Sequence, residues 1–353
     1  MKYSFAKIVE ILGKEKRPVL ASIVEVEGSS PQVPGATAVF TEAGLVAGTV
    51  GGGMLEAKAG EVAAECRGDR KRRLVTFRLD GETADAEGAI CGGEATVLFD
   101  PRVDEDRAVF EEALAGLKDR EPAVLLTRIG PPDGVVVEVE RTRLARAGLE
   151  AGKGAGSPAG ALTGPEIGGL LRTAKPLLKK DGEALLFAEA LLPLPRLIIA
   201  GAGHVGRAVA RLGSRLDFEV TVIDDRPEFA SKDNVPAADT VVAGDFASSI
   251  RDIPPSPDDY FVIATRGHGN DAEALRACVR REAAYVGMIG SKTKVALTKK
   301  MFLEKGWSTA GEWDRVHTPI GLEIGSRTVE EIAVSIAAEL VLVRSGRRKK
   351  EGP

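Results

Sequence analysis

The 353-residue chain has only three cysteines, Cys66, Cys91 and Cys278, and they stand too far apart to form a disulfide framework. Its three histidines, His204, His268 and His317, all fall in the second half, and no Cys or His pair stands at zinc-ligand spacing. No apolar run is long enough to span a membrane: the nearest, Leu185 to Ala200, is broken by Glu189, Pro193, Pro195 and Arg196. The start, Met-Lys-Tyr-Ser-Phe-Ala-Lys, lacks the apolar core of a signal peptide, so a cytoplasmic location is expected. Charge of one sign is missing too, with 48 Lys and Arg against 52 Asp and Glu, which gives no overall basic signal for nucleic acid. The basic clusters Arg70–Arg73 and Arg347–Lys350 read as a strand lead-in and a solvated tail.

What is present is an ordinary globular balance, 44% apolar and 28% charged, in a chain too long for one comfortable core. Two domains are expected. Residues 197–206 run Leu-Ile-Ile-Ala-Gly-Ala-Gly-His-Val-Gly, a buried strand feeding a G-x-G-x-x-G turn. A helical stretch and a strand from Phe218 follow, ending in Asp224-Asp225. Such glycines let a backbone approach a pyrophosphate at a helix N-terminus, and an acid about 20 residues on is placed for a ribose hydroxyl. Beyond Arg196 strands and helices alternate, with buried strands at 260–265 and 285–289. This predicts an α/β chain, its C-terminal part a Rossmann-like doubly wound parallel sheet, preceded by a smaller α+β domain. The final helix opens with a capping box, Thr328 to Glu331, and carries an apolar stripe from Val329 to Val341 suited to core or dimer packing.

In the first half, a helix at 4–16 precedes strands at 19–26, 37–40 and 45–50. Gly51-Gly52-Gly53 opens a helix carrying Leu55, Ala59, Val62 and Cys66, and strands at 74–79 and 95–99 complete the unit. A second helix (106–119) and a hairpin (123–129 with 135–139) follow, then a glycine-rich loop at 151–160 and a linker at 191–195. The expected divisions are residues 1–102, a connecting region 103–195, and the Rossmann-like part 196–353.

Loops after the carboxyl ends of parallel strands line one crevice, so His204 and His268 are expected to face it together, with His317 a third candidate. Imidazoles that cap helices or bind backbone are the plainer reading of all three. Arg266, in Thr-Arg-Gly-His, has the planar fork that holds phosphate or carboxylate. Asp271 can orient His268 or cap the next helix. The run Gly51-Gly52-Gly53 offers open backbone N–H groups beside a positive dipole end, and equally reads as a tight turn; Glu56 can simply complement that dipole. Cys91, before two glycines, is approachable, whereas Cys66 and Cys278 lie on helix faces and read as packing.

Taken together, Gly28–Gly35, Gly48–Glu56, Cys91-Gly-Gly93, Gly201–Gly206, Asp224–Phe229, Thr265–His268, Tyr285–Lys292 and His317–Gly325 resemble the XdhC/CoxI family of xanthine dehydrogenase accessory proteins. The resemblance spans nearly the whole chain except 103–185. It implies a molybdenum cofactor (molybdopterin) chaperone, more a carrier than a turnover enzyme. Such a protein assists the exchange of an oxo for a sulfido ligand and delivers the cofactor to a molybdenum hydroxylase such as xanthine dehydrogenase. The implied partners are that hydroxylase and a sulfur-donating cysteine desulfurase, and a homodimer is the expected assembly. The cofactor's terminal phosphate suits Gly51–Gly53, and its soft metal tolerates a nearby thiolate. Where the family often has cysteine after the glycine triplet this chain has Met54, leaving Cys91 as the sulfur-handling candidate; Asn270 stands where a further histidine is common. Gly201, Gly203, His204, Gly206, Asp224, Arg266, His268 and His317 complete the implied cofactor set. The rival reading is an NAD(P)-dependent oxidoreductase, or a redox-sensing nucleotide module, with Asp224 on the ribose and His268 as acid or base.

Overall fold

The computed structural model describes residues 5–30, 32–78, 93–145 and 162–350. They form two compact units, one running to Pro193 and the other starting at Leu194. Of the connecting region expected at 103–195, the described residues up to Pro193 thus belong to the N-terminal unit. The cause is burial: Val103, Phe110 and Leu125 share one apolar cluster with Ile8, Leu20 and Val39.

The first unit contains two antiparallel sheets. Strands β1 (Val19–Glu27), β2 (Thr37–Thr41), β3 (Gly44–Gly48), β4 (Arg73–Arg78) and β5 (Glu94–Asp100) pair in the order β3-β2-β1-β5-β4. Strands β6 (Ala123–Ile129), β7 (Val139–Ala145), β8 (Leu177–Asp181) and β9 (Ala184–Leu191) pair as β7-β6-β9-β8. Helices α1 (Phe5–Lys14), α2 (Gly53–Asp69), α3 (Arg107–Lys118) and α4 (Gly164–Thr173) accompany them. The central strand β1 is buried on both faces from Val19 to Val24. Val19, Ala21 and Ile23 pack under Leu55, Ala59, Ala63 and Cys66 of α2. Leu20 and Val24 point the other way, into clusters shared with the second sheet. The hairpin partner of β6 is β7, not 135–139, because the backbone around Val135–Val137 bonds instead to Arg72 and Leu74. The glycine-rich loop at 151–160 lies outside the described residues.

In the second unit, β10 (Arg196–Ala200), β11 (Glu219–Asp224), β12 (Thr240–Ala243), β13 (Asp259–Ile263), β14 (Tyr285–Met288) and β15 (Val316–His317) form a parallel sheet ordered β12-β11-β10-β13-β14-β15. Helices α5 (His204–Arg215), α6 (Phe246–Asp252), α7 (His268–Cys278), α8 (Lys292–Glu304), α9 (Ala310–Trp313) and α10 (Val329–Lys350) connect or follow them. This is the expected doubly wound fold, with the order reversing between β10 and β13. The capping box of α10 forms as predicted: Thr328 N donates to Glu331, and Glu331 N to Thr328 Oγ1. Ala333, Ile336 and Leu340 of its stripe are core, packed with Ala208 and Val209 of α5. Among the described residues, no helix is long and apolar enough to cross a membrane.

Candidate functional site

The turn between β10 and α5 is set by three glycines with different duties. A Cβ on Gly201 (φ +114°) would overlap the Ala264 carbonyl, and one on Gly206 would overlap the Gly201 carbonyl. Both therefore allow backbone to pack on backbone. A Cβ on Gly203 would meet nothing within 4 Å. The second glycine of the fingerprint is thus the one that opens onto the crevice, at the N-terminus of α5, where no side chain caps the helix.

Asp224 does not offer a free acceptor at this crevice. It is buried, and its Oδ2 accepts from Ala202 N at 2.7 Å and Arg226 Nη2 at 3.0 Å. Its Oδ1 accepts from Arg226 N and Nε. Burial works against its charge, yet the Arg226 and backbone hydrogen bonds outweigh it and hold the carboxyl below its ordinary range. The acid exposed at this strand end is Asp225, which accepts from Asn270 Nδ2 at 3.1 Å and so links the β11 end to α7. Asn234 braces the turn from below, donating to the Ala202 and Phe229 carbonyls and accepting from Arg207.

None of the three histidines lies in a loop. His204 is the exposed first residue of α5, its Nδ1 2.8 Å from Arg207 Nη2. His268 is placed by its backbone as the first residue of α7, behind Gly267 at φ +97°. Arg266, in the same turn, is exposed and has no hydrogen-bond partner among the described residues. The glycine turn and the 264–268 turn thus border one crevice, as Gly201 against Ala264 already requires. His317 sits instead on β15, at the sheet edge, with Nδ1 2.9 Å from Glu339 Oε1. The other Glu339 oxygen accepts from Tyr285 OH at 2.5 Å and Gly321 N at 2.8 Å. Burial opposes the charge of Glu339, but the bonds from His317 and Tyr285 win and lower its pKa. Asp271 neither caps α7 nor stands free: its oxygens are held by Thr265 and by an ion pair to Lys294.

In the first unit the strand-to-helix turn after β3 differs in kind. Gly51, Gly52 and Gly53 have φ of +140°, +71° and +54°, so conformation demands glycine there. A Cβ on Gly52 or Gly53 would meet nothing within 4 Å. Gly52 caps α2 without any side-chain hydrogen bond. Thr49 supports the turn: its Oγ1 accepts from Gly51 N at 3.0 Å and donates to Glu56 Oε2 at 2.6 Å. Glu56 is therefore tied into the turn rather than a bare dipole complement. A shallow groove of about 630 Å³ runs alongside, lined by Phe40, Leu45, Gly53, Glu56 and Ala57 among others. Met54 is exposed beside it.

Cys91 and Gly92 lie outside the described residues, but Gly93 is described and informative. A Cβ there would overlap the Glu27 and Ser29 carbonyls, which fixes Gly93 against the start of the Gly28–Gly35 loop. The other two thiols are buried. Burial raises the pKa of Cys66, and pushes that of Cys278 up to about 12, so both behave as packing groups.

Residues 12–78, which carry the first glycine turn, match the model of the XdhC and CoxI family, and residues 197–340 match the XdhC Rossmann domain. The chain belongs to the XdhC/CoxI family. It is 26% identical to a probable xanthine dehydrogenase subunit of Bacillus subtilis, over 95% of each chain. It is 24% identical to the molybdenum cofactor insertion chaperone PaoD of Escherichia coli, over 95% of this chain and 86% of that one. Against the uncharacterized protein YqeB of Escherichia coli it is 25% identical over 92% of its own length, yet spans only 43% of that relative. A crystal structure described as a xanthine dehydrogenase from Bacillus halodurans has a TM-score of 0.79 at 26% identity, covering 99% of this chain and 98% of that one.

For this XdhC/CoxI chain, the residues that sequence reasoning passed over are supporting ones. Asn234, Lys294 and Glu339 each fix a motif residue from a distance in the chain. Only Glu339 left a visible signal, an acid set beside the apolar stripe of α10.

Proposed function

We propose that this chain is a carrier that binds molybdenum cofactor and delivers it to a molybdenum hydroxylase of the xanthine dehydrogenase type. The observation that carries this reading is the glycine turn at the head of α2, where a Cβ on Gly52 or Gly53 would meet nothing within 4 Å and Gly52 makes no side-chain cap. Such a turn fits the phosphate end of that cofactor. The kinship with a molybdenum cofactor insertion chaperone over nearly the full chain supports the same reading.

Gly51–Gly53 would hold the phosphate, with Thr49 and Glu56 keeping the turn rigid. Gly203, His204, Arg266 and His268 form a second candidate binding edge in the Rossmann unit, and His317, positioned by Glu339, presents a ring with one fixed nitrogen. The bound cofactor supplies a soft metal held by its own sulfur ligands. Cys91 is the residue of this chain assigned to sulfur handling, with a cysteine desulfurase as donor and a homodimer as the working assembly. A nucleotide in the Rossmann crevice is less well supported, because Asp224 is already committed to Ala202 and Arg226.

Activation of a cofactor-free xanthine dehydrogenase, reconstituted with this chain, cofactor and sulfur donor, tests the proposal. The wild-type chain should activate it, and Cys91→Ser should fold but impair activation. Equal activation by Cys91→Ser removes the thiol role; no activation by the wild type removes the carrier reading.

A further inference from the structure

Between the two sheets of the first unit lies a partly open cavity of about 230 Å³ that the carrier reading does not use. It lies where strand periodicity calls for apolar residues. On β1, Leu20 and Val24 face the second sheet, and the residue between them on that face is Ser22. On β6 the corresponding run is Leu125, Thr127, Ile129, and on β9 it is Phe187, Glu189, Leu191. Three strands thus each replace the middle apolar residue by a polar one. Strand register gathers them: Ser22 lies opposite Thr37 of β2, and Leu125 opposite Glu189. Ser22, Thr37, Thr127 and Glu189 all line the cavity.

None of these four side chains hydrogen-bonds another described residue. Ser22 and Thr127 are buried and Thr37 and Glu189 half-buried, and four polar side chains without a partner among the described residues, converging on one cavity, form a ready set of donors and acceptors for a guest. Arg141, on the same wall, is not available, because Asp100 and Asp106 hold it. Phe5, Phe110 and Phe187 supply flat apolar walls. The volume exceeds the ~150 Å³ of a protein cavity that accepts benzene.

We infer that this cavity is a binding site for a small, uncharged planar molecule with an amide edge, its N–H and carbonyl meeting Glu189 and the hydroxyls of Ser22, Thr37 and Thr127. A carboxyl group and a primary amide pair through complementary donors and acceptors, and the hydroxyls serve as either. The burial that pushes the Glu189 carboxyl up to about 7 favours an uncharged partner over a cation. The site stands independently of cofactor binding.

The test is titration of the full chain with benzamide, followed by the methyl NMR signals of Leu20, Leu98 and Leu125, with toluene as the shape control. Benzamide should shift these methyls saturably, and toluene should bind more weakly. Glu189→Leu should weaken benzamide about tenfold or more without loss of fold, while Glu189→Gln, which keeps an amide edge, should retain binding. No benzamide shift in the wild type, or equal affinity in Glu189→Leu, overturns the inference and leaves a cavity that holds water only.

Discussion

The two glycine-rich turns of this chain look alike as sequence, each a strand, a glycine cluster and a helix, yet their glycines are there for opposite reasons. At 201–206 the outer two are steric: Gly201 and Gly206 let backbone touch backbone, and only Gly203 faces open space. At 51–53 all three glycines have positive φ, and a side chain on Gly52 or Gly53 would collide with nothing. The first pattern holds a Rossmann turn together. The second displays a helix N-terminus. Glycine spacing alone does not separate packing from presentation, and what surrounds a missing Cβ does.

The carboxyl groups divide in the same way. Asp100 is fully buried and closed off by Arg72 and Arg141; desolvation opposes its charge, but the two arginines hold its pKa low. Glu189 lines a cavity with no hydrogen-bond partner, and burial pushes it up to about 7. One acid is structural and the other is available.

Substitutions can break or sharpen these contrasts. The largest effect is expected from Gly206→Ala, which should destabilise the Rossmann unit by about 3 kcal/mol in urea unfolding, since the Gly201 carbonyl cannot retreat without opening the turn. Next comes Glu189→Gln, whose effect depends on pH. The folded-state pKa of Glu189 is raised from 4.5 to about 7, so its favourable contribution is present below 4.5 and lost as pH rises through 7. At pH 5 the variant and wild type should differ little. By pH 8 the variant should be more stable by up to about 3 kcal/mol, at ~1.4 kcal/mol per pH unit. Urea midpoints across that range would show it; a difference that shrinks with rising pH would contradict it. Gly52→Ala should cost about 1 kcal/mol of backbone strain but abolish retention of the cofactor phosphate, measured as pterin content after gel filtration. Gly203→Ala should be smallest, within about 0.5 kcal/mol of wild-type stability, because its Cβ enters open space. A large loss there would mean that the crevice is closed.

Much of the fold was legible because its signals are local. The strand 197–200, the fingerprint glycines, the capping box at Thr328 and the stripe of α10 rest on periodicity and turn chemistry within a few residues. The membership of 103–193 in the first unit was not, since it depends on Phe110 and Leu125 meeting Ile8 and Leu20 across the chain. The site divides similarly. Open turns could be anticipated from glycine, but Asp224 looked free until Ala202 N and Arg226 were seen to hold it. His317 lies on a strand that was not legible, because a two-residue edge strand has no period to detect. Its partner Glu339 lies 22 residues on, in a helix otherwise read as packing.

The measurement that tests the carrier account most directly is anaerobic purification of the chain from a host that makes molybdenum cofactor. Molybdenum is quantified by mass spectrometry and pterin by its fluorescent oxidation product. Near-stoichiometric metal and pterin in the wild type, both lost in Gly52→Ala, is the predicted result. Tightly held NAD(P) with neither metal nor pterin would contradict the account and return the Rossmann crevice to nucleotide chemistry.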